Sequence, residues 1–594
     1  MKNLLIVLFS FVLIYQLSAN DKGPFKHSFV KENGQTFTNY TLHYGNPLRF
    51  SEPPGAVPGM TGFYDYVTNG NSIRSCYVLG DTIIISFVIS DSLDPTGLTS
   101  RHAIYNVSFD NGASWSAAHI KITTPPTRSA YPDINPFIGS FGRNVVFTGR
   151  EYVPLGRAGA SWVESFLGGG IIASYLLPDD GRDMFSYLIP GNKIACSYST
   201  TVTSPLGQDT LNYNTFDYIN TTYGSRLILA TPPGEIGENA RQFIASEGNN
   251  VTVMWWNNDL GISNEMSYRQ STDGGSTFNA MASWITQGDM FNGDSVTPWF
   301  GADVIYKPGT SDVYAAMNTL GFSGGLPNYG TREGYKLLFW SPVVNGGTPV
   351  VIADRTNYPV LMDTASFNMV LAAGLSVGAT AVSHPSLAFS DDGSRLFCVF
   401  SGVQVDTLDG FNFNDIWGSY SDDGGATWST PINYTNTTDV DEMYASISKT
   451  GNTPTKIHII YQSTAGPGCQ SFTDLTPTYR VYEVYQKINP ETGNVINVQN
   501  ISSEIPSSFS LKQNYPNPFN PSTSIRFEIA KASNITLKVY DINGKEVAVL
   551  ANNEFVTPGL KEVKFDGNNF ASGVYFYTLV AGDFTATKKM VLLK

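Results

Sequence analysis

Apolar residues along the chain fall into short runs, many alternating with polar positions, and Gly, Asn, Asp or Pro bounds nearly every run. That period of two predicts strands joined by tight turns. One unit recurs seven times, a glycine or polar turn followed by an apolar strand. Its first apolar residues are Ile83, Val145, Ile194, Val251, Val313, Leu396 and Ile457, spaced by 49 to 83 residues. Five copies carry an upstream stretch at a similar offset, beginning at Tyr131, Arg241, Ala302, His384 and Tyr444, which reads as the innermost strand of each unit. A strand-only repeat near 60 residues has the length of a four-stranded propeller blade with its loops. The expected fold class is therefore all-β: a β-propeller followed by a small C-terminal β-sandwich. Seven copies imply seven blades, with six as the alternative count. The 83-residue interval between Val313 and Leu396 leaves room for a long insertion or a concealed blade.

A second repeat falls on the same phase. Residues 108–115, 271–278 and 421–428 share the form S-x-D-x-G-x-[ST]-[WF], and Asp110, Asp273 and Asp423 follow their strand starts by 27, 22 and 27 residues. In such a turn an Asp accepts backbone N–H groups and glycine supplies a positive φ, here Gly112, Gly275 and Gly425. The closing aromatic, Trp115, Phe278 or Trp428, packs into the blade. With two repeats in register, residues 60–490 resemble the Asp-box (BNR) propellers of the sialidase-like superfamily. The resemblance implies that these nine residues are structural and that their turns lie away from the ligand face. The run S-D-D-G-S at 390–394 lacks the aromatic and is read as a plain turn.

Both ends of the chain differ from this middle. Lys2, the apolar stretch 4–14 and the small-residue pattern at 17–19 predict a signal peptide over 1–19, too short to span a bilayer. An N-terminal segment (20–59), the propeller (60–490), a linker (491–507) and a separate domain (508–594) follow. Residues 512–594 carry ten basic and seven acidic side chains, whereas the whole chain has a net charge of −14. The lead-in N-Y-P-N-P-F-N-P at 514–521 contains Tyr515, Pro516, Pro518, Phe519 and Pro521, whose prolines predict an extended run into the strands. The segment 571–577 adds Gly573 and Tyr575, and the C-terminus adds Lys588 and Lys589. Together they resemble the type A C-terminal sorting domain of the type IX secretion system. That implies export through the periplasm to the surface or medium, with the secretion machinery as partner.

Composition narrows the rest. Charged residues make up 14% of the chain against a usual figure of about 25%. The acidic balance and the lack of Lys/Arg clusters argue against a nucleic-acid partner. Four scattered cysteines form no C-x-x-C pair, and buried free thiols fit them as well as disulfides. The six histidines form no zinc-hydrolase pattern; His384 opens an inferred innermost strand, where facing the channel is one reading and a structural role the plainer expectation. Residues 321–325 satisfy G-x-S-x-G, but the sequence after them is a poor helix start, so a glycine loop is expected.

For a sialidase, the resemblance implies three arginines on a substrate carboxylate, a Tyr nucleophile with a Glu partner, and an Asp acid/base. This chain departs from that pattern. Ile73-Arg74-Ser75 lacks the proline of the early R-I-P motif, and Trp255-Trp256-Asn257-Asn258 stands where an arginine would be expected. Arg101, Arg150, Arg241, Arg269 and Arg332 are candidates for a clamp, although an isolated surface position is the plainer expectation for each. Trp255 and Trp256 are expected in the blade core. No catalytic or ligand-binding residue, cofactor or metal is assigned. Calcium in the loop holding Asp439, Asp441 and Glu442 has no support beyond a short acidic run, which is expected to be solvated. The function expected is a secreted or cell-surface, non-catalytic module binding glycans or proteins, with a sialidase-like glycoside hydrolase as the alternative.

Overall fold

Seven antiparallel sheets follow one another from residue 56 to residue 488, each with four or more strands. They were obtained in a computed structural model that describes residues 52–593, with gaps at 63–73, 91–100, 202–208, 363–379 and 467–479 and shorter ones elsewhere, plus strands Ser28–Val30 and Thr36–Thr38. The expected signal peptide and Cys469 lie outside the described residues. Six of the seven repeated strand starts fall on the second strand of their own sheet, from Ile83 in Thr82–Ser90 to Ile457 in Ile457–Thr464, and Val313 falls on the strand after the long inner strand Asp294–Tyr306 of the fifth sheet, which the two-residue strand Met290–Phe291 precedes. The long interval between Val313 and Leu396 holds one extra strand of the fifth sheet, Leu326–Asn328, besides its outer strands Lys336–Trp340 and Val350–Ala353, then the short helix Pro359–Met362 and the first strand of the sixth sheet; among the described residues it holds no further sheet. The protein is a seven-bladed β-propeller with a C-terminal β-sandwich.

The first strand of each sheet lines the axis, because consecutive inner strands are hydrogen-bonded across the blade joints. Ser75 N donates to Ser446 Oγ at 3.1 Å, Ile447 N to Ser386 Oγ at 3.3 Å, Leu387 N to Asp303 Oδ2 at 2.7 Å, and Ser186 N to Asp133 Oδ2 at 3.1 Å. Two buried ion pairs strengthen this ring. Arg74 meets Asp133 through Nη2–Oδ2 at 2.8 Å and Nε–Oδ1 at 3.0 Å and also reaches the Ser186 carbonyl, joining blades 1, 2 and 3. Lys449 Nζ meets Asp303 Oδ2 at 2.6 Å and the Leu387 carbonyl at 2.6 Å, joining blades 5, 6 and 7.

The ring closes by mixing the two ends of the propeller sequence. Blade 7 takes Asp441–Ile447, Ile457–Thr464 and Val481–Ile488 from the C-terminal side, and its outermost strand is Ala56–Gly62. Val57 and Met60 of that strand are buried, and Thr61 Oγ1 donates to the Val481 carbonyl at 2.7 Å. The strand begins at residue 56, slightly ahead of the propeller start expected at 60.

Residues from 499 onward form two further four-stranded sheets. One contains Ser522–Ile529 and Gly559–Asp566; the other contains Ser533–Tyr540, Gly573–Ala581 and Phe584–Leu592. Burial alternates along Ser522–Ile529, as a one-sided sheet requires, and Ile525, Phe527, Leu537, Tyr577 and Met590 fill a core of their own. The proline-rich lead-in does not run straight into these strands. It bends at 516–518 and lies beside the last strand, because Phe519 is drawn into the core against Phe565. No described helix is long and apolar enough to cross a membrane.

Candidate functional site

Antiparallel connectivity gives the propeller two ends. One carries the hairpins between first and second strands and the turns between third and fourth strands; the other carries the remaining connections. All three S-x-D-x-G turns lie at the first end, where they share one hydrogen-bond pattern. The serine hydroxyl donates to the Asp at 2.7–2.8 Å, the glycine N–H returns to the serine Oγ at 2.7–2.9 Å, and the following Ser or Thr N–H donates to the Asp at 2.8–2.9 Å. The closing aromatics pack against core clusters that include residues of their own blades, and their rings also reach beyond them. Each crosses to the preceding blade: Trp115 to Tyr485, Phe278 to Tyr213 and Trp428 to Phe339, with ring centroids 5.0–5.3 Å apart. The third strand ends between blades, so a large ring there gains more contact at the joint.

Blade 2 lacks the motif but keeps a staple. Glu164 accepts Gly168 N at 3.3 Å and Gly170 N at 2.8 Å, and takes the Tyr105 hydroxyl as well. This is a buried tyrosine–carboxylate pair, but it sits at the turn end. Burial, then the neighbouring Glu164, push the Tyr105 phenol far above its ordinary range, which suits a structural donor rather than a nucleophile.

The opposite end carries the chemistry. In blade 2, Arg128 on the first strand and Arg157 on the third both stand directly across from Tyr152 on the second, so all three share one face of the sheet. Their guanidinium carbons lie 4.4 and 6.0 Å from the Tyr152 ring centroid, and Arg101 of blade 1 approaches to 4.8 Å. Arg150, two residues before Tyr152 and on the same face, points a nitrogen at the Tyr152 hydroxyl at 3.5 Å, covers the Tyr131 ring at 5.0 Å and pairs with Asp183 of blade 3. Four arginines thus converge on one tyrosine.

Backbone geometry helps to aim this end. Tyr131, Asp183, His384 and Tyr444 all have φ between 52° and 59° and sit within register shifts of the inner strands of blades 2, 3, 6 and 7. A left-handed residue in a bulge re-aims its side chain and is strained for non-glycine residues. His384 and Tyr444 pack edge to face with centroids 4.9 Å apart.

Several candidate residues differ from their expected settings. Arg101 and Arg150 are only 4% and 5% exposed, so neither is a solvated surface arginine; their aromatic neighbours cover the stems. Arg241 opens the inner strand of blade 4, Arg269 pairs with Glu235 at 3.6 Å, and Arg332 donates to the Leu361 carbonyl at 3.1 Å. Arg269 and Arg332 are engaged outside the cluster, whereas Arg128, Arg157 and Tyr152, unmarked in the sequence, belong to it. The alternation of Arg150 and Tyr152 along one strand was the available signal. Trp255 and Trp256 are buried in the blades, and residues 321–323 end the strand Val313–Ser323, which pairs with Leu326–Asn328. Cys76, Cys196 and Cys398 are free and buried.

The acidic run at 439–442 is not solvated throughout. Asp441 and Glu442 begin the inner strand of blade 7 and are 1% and 3% exposed, because that strand is covered by blade 6. The Thr437 hydroxyl lies 3.1 Å from Asp415 and 3.3 Å from Glu442. Burial, then the nearby Asp415 and Asp441 carboxylates, push Glu442 up to about 8. Among the described residues no three His, Cys, Asp or Glu side chains group as metal ligands.

In the C-terminal domain, Phe519 and Tyr575 are buried, Gly573 opens a strand, and Tyr515, Pro516, Pro518, Lys588 and Lys589 are exposed. Residues 513–593 match the family described as the secretion system C-terminal sorting domain. This end of the chain is a type IX sorting domain. The protein is accordingly delivered to the cell surface or beyond it, and the sorting domain is what the type IX machinery recognises.

Half to three quarters of the chain is similar, at low identity, to several solved structures. A protein of unknown function from Dyadobacter fermentans is 13% identical, with 62% of this chain and 99% of that one covered and a TM-score of 0.36. An exo-β-1,3-galactanase from Phanerochaete chrysosporium is 9% identical, covering 69% and 94%, with a TM-score of 0.26. An α-L-arabinofuranosidase from Podospora anserina is 10% identical, covering 75% and 96%, with a TM-score of 0.28. No curated protein matches the chain.

Proposed function

We propose that the propeller is an extracellular binding module that holds an anionic group, such as the carboxylate or sulfate of an acidic glycan, at Tyr152. The convergence of Arg101, Arg128, Arg150 and Arg157 on that ring supports this reading. Each cation gains from the ring face, but the guanidiniums repel one another, and an anion among them would relieve that repulsion while accepting paired N–H bonds. The nearby carboxylates are already engaged: Asp183 within the cluster with Arg150, and Glu151 with Trp162 Nε1 at 2.9 Å and Ser174 Oγ at 2.7 Å. That favours binding over hydrolysis, which needs two carboxyl groups facing one bond. The S-x-D-x-G turns act in this reading as Asp-box staples of a sialidase-like propeller, leaving the other end open to ligand.

The test is binding of the exported protein to polyuronate and sulfated polysaccharides beside neutral ones, with fluorogenic glycosides, a sialoside included, run in parallel. Binding should be selective for the acidic polymers and weaken with salt. Arg128→Ala and Arg157→Ala, at the least buried of the four arginines, should each weaken it by about tenfold. Turnover that survives repurification would replace this reading with a glycoside hydrolase.

A further inference from the structure

The chain passes almost directly from blade 7 into the sorting domain. Ile496 N donates to the Lys487 carbonyl at 2.7 Å and Val495 bridges Ile488, so residues 495–496 lie along the last part of Val481–Ile488. Gln499–Ser502 then forms the edge strand of a sorting-domain sheet, pairing with Gly559–Asp566 and setting Asn500 opposite Lys561. Residues 497 and 498 alone separate these two sets of bonds. Such a junction spans at most about 11 Å between the Cα atoms of Ile496 and Gln499, too little to carry the domain to another blade. A tether this short also holds the two domains at an effective concentration in the millimolar range, so that a few side chains suffice to seat one on the other.

The side chains beside the junction form such a contact. Lys487 of blade 7 and Glu554 of the sorting domain are each only 8% exposed. Glu554 Oε2 is enclosed without a hydrogen-bond partner among the described residues, so its charge depends on nearby cations. Burial pushes the Glu554 carboxyl up, and Lys487, Lys456 and Lys561 pull it back down. The relation is mutual: burial pushes Lys487 down to about 8, and Glu554, ahead of Asp110 of blade 1, pushes it back up. Two of the three lysines around Glu554 therefore belong to the propeller. Lys456 lies in the hairpin bridged by Thr453 and Lys456, and Asp110 in the first S-x-D-x-G turn, so the contact sits at the turn end, opposite Tyr152.

We propose that the sorting domain docks on the turn end of blade 7, with Glu554 seated among Lys487, Lys456 and Lys561, so that the Tyr152 end stays open to ligand while the domain is attached. The occupant of this face is thus a segment of the same chain, selected by a short tether and by opposite charge. Reversing either charge leaves like charges enclosed at the seat, and reversing both restores the pairing.

The experiment uses the full chain, purified from a host that lacks type IX export. A carbodiimide, which couples an amine to a carboxylate without a spacer, should join Lys487 or Lys456 to Glu554, as read by peptide mass. Small-angle scattering should give a compact radius of gyration of about 25 Å. Glu554→Lys and Lys487→Glu should each raise that radius by at least about 2 Å, and the double variant should return to the parental value. Absence of the coupled peptide overturns the proposal, as does a parental radius in either single variant. A double variant that fails to recover also overturns it, and a matching fall in its melting temperature would assign these residues to folding instead.

Discussion

Glu442 shows how a single side chain acquires chemistry from where the fold puts it. In sequence it belongs to a short acidic run; in the structure it is enclosed between blades 6 and 7 beside Asp415, and burial followed by those carboxylates moves it from 4.5 up to about 8. The folded protein therefore keeps a proton that the unfolded chain releases near pH 4.5. The associated stability is fully present below about pH 4.5 and is lost as pH rises through 8, by at most about 1.4 kcal/mol per pH unit. Urea unfolding between pH 5 and 8 should show this decline, and Glu442→Gln should flatten it. Equal slopes in both proteins would refute the assignment. The arginines teach the same lesson. Five were candidates by residue type; Arg101 and Arg150 reach Tyr152, and Arg128 and Arg157 join them through cross-strand register that no linear spacing displays.

At the scale of a turn, the sequence was far more legible. Ser, Asp, Gly and the following Ser or Thr of each S-x-D-x-G turn meet through contacts within eight residues, so type and spacing nearly specify the local geometry. What spacing does not reveal is that the ring belongs to the joint with the preceding blade. Adjacent glycines of one turn separate the two effects. Gly274 and Gly275 both have positive φ, 71° and 85°, but a Cβ on Gly274 meets only Asn249 Oδ1 at 3.9 Å, an ordinary contact, whereas one on Gly275 would lie 1.9 Å from the Tyr213 hydroxyl. Gly274→Ala should cost only the left-handed backbone term, about 1–2 kcal/mol. Gly275→Ala should add an overpacking cost of about 1–3 kcal/mol at the joint between blades 3 and 4. Chemical denaturation of both variants decides this, and equal losses would mean that the joint is not tightly packed there.

Across the whole molecule, closure is the decisive feature. Ala56–Gly62 covers the edge of Val481–Ile488, and with it blade 7 is shared between both ends of the propeller sequence. A chain beginning at residue 63 would leave that edge unpaired and expose the pocket now filled by Met60 and Val57. It should lose the cooperative thermal transition seen by circular dichroism and elute as larger species. An unchanged transition would show that the ring closes without the strand. The sorting domain has a hydrophobic core that shares no residue with those of the propeller, so removal of 508–594 should leave the propeller transition in place.

Seven blades, the stapled turns and the sorting tail were all readable from residues alone, because each rests on local periodicity or on a motif whose parts touch near neighbours. The tail's signature segments show where that reading stops: Asn517 and Val591 are 74 positions apart, and only folding places one against the other. The same holds for Arg74 with Asp133, Lys449 with Asp303, the arginines with Tyr152, and the N-terminal strand with the last blade. These contacts join different strands or blades, and composition and spacing leave such partners unspecified until the ring closes and sets which faces meet.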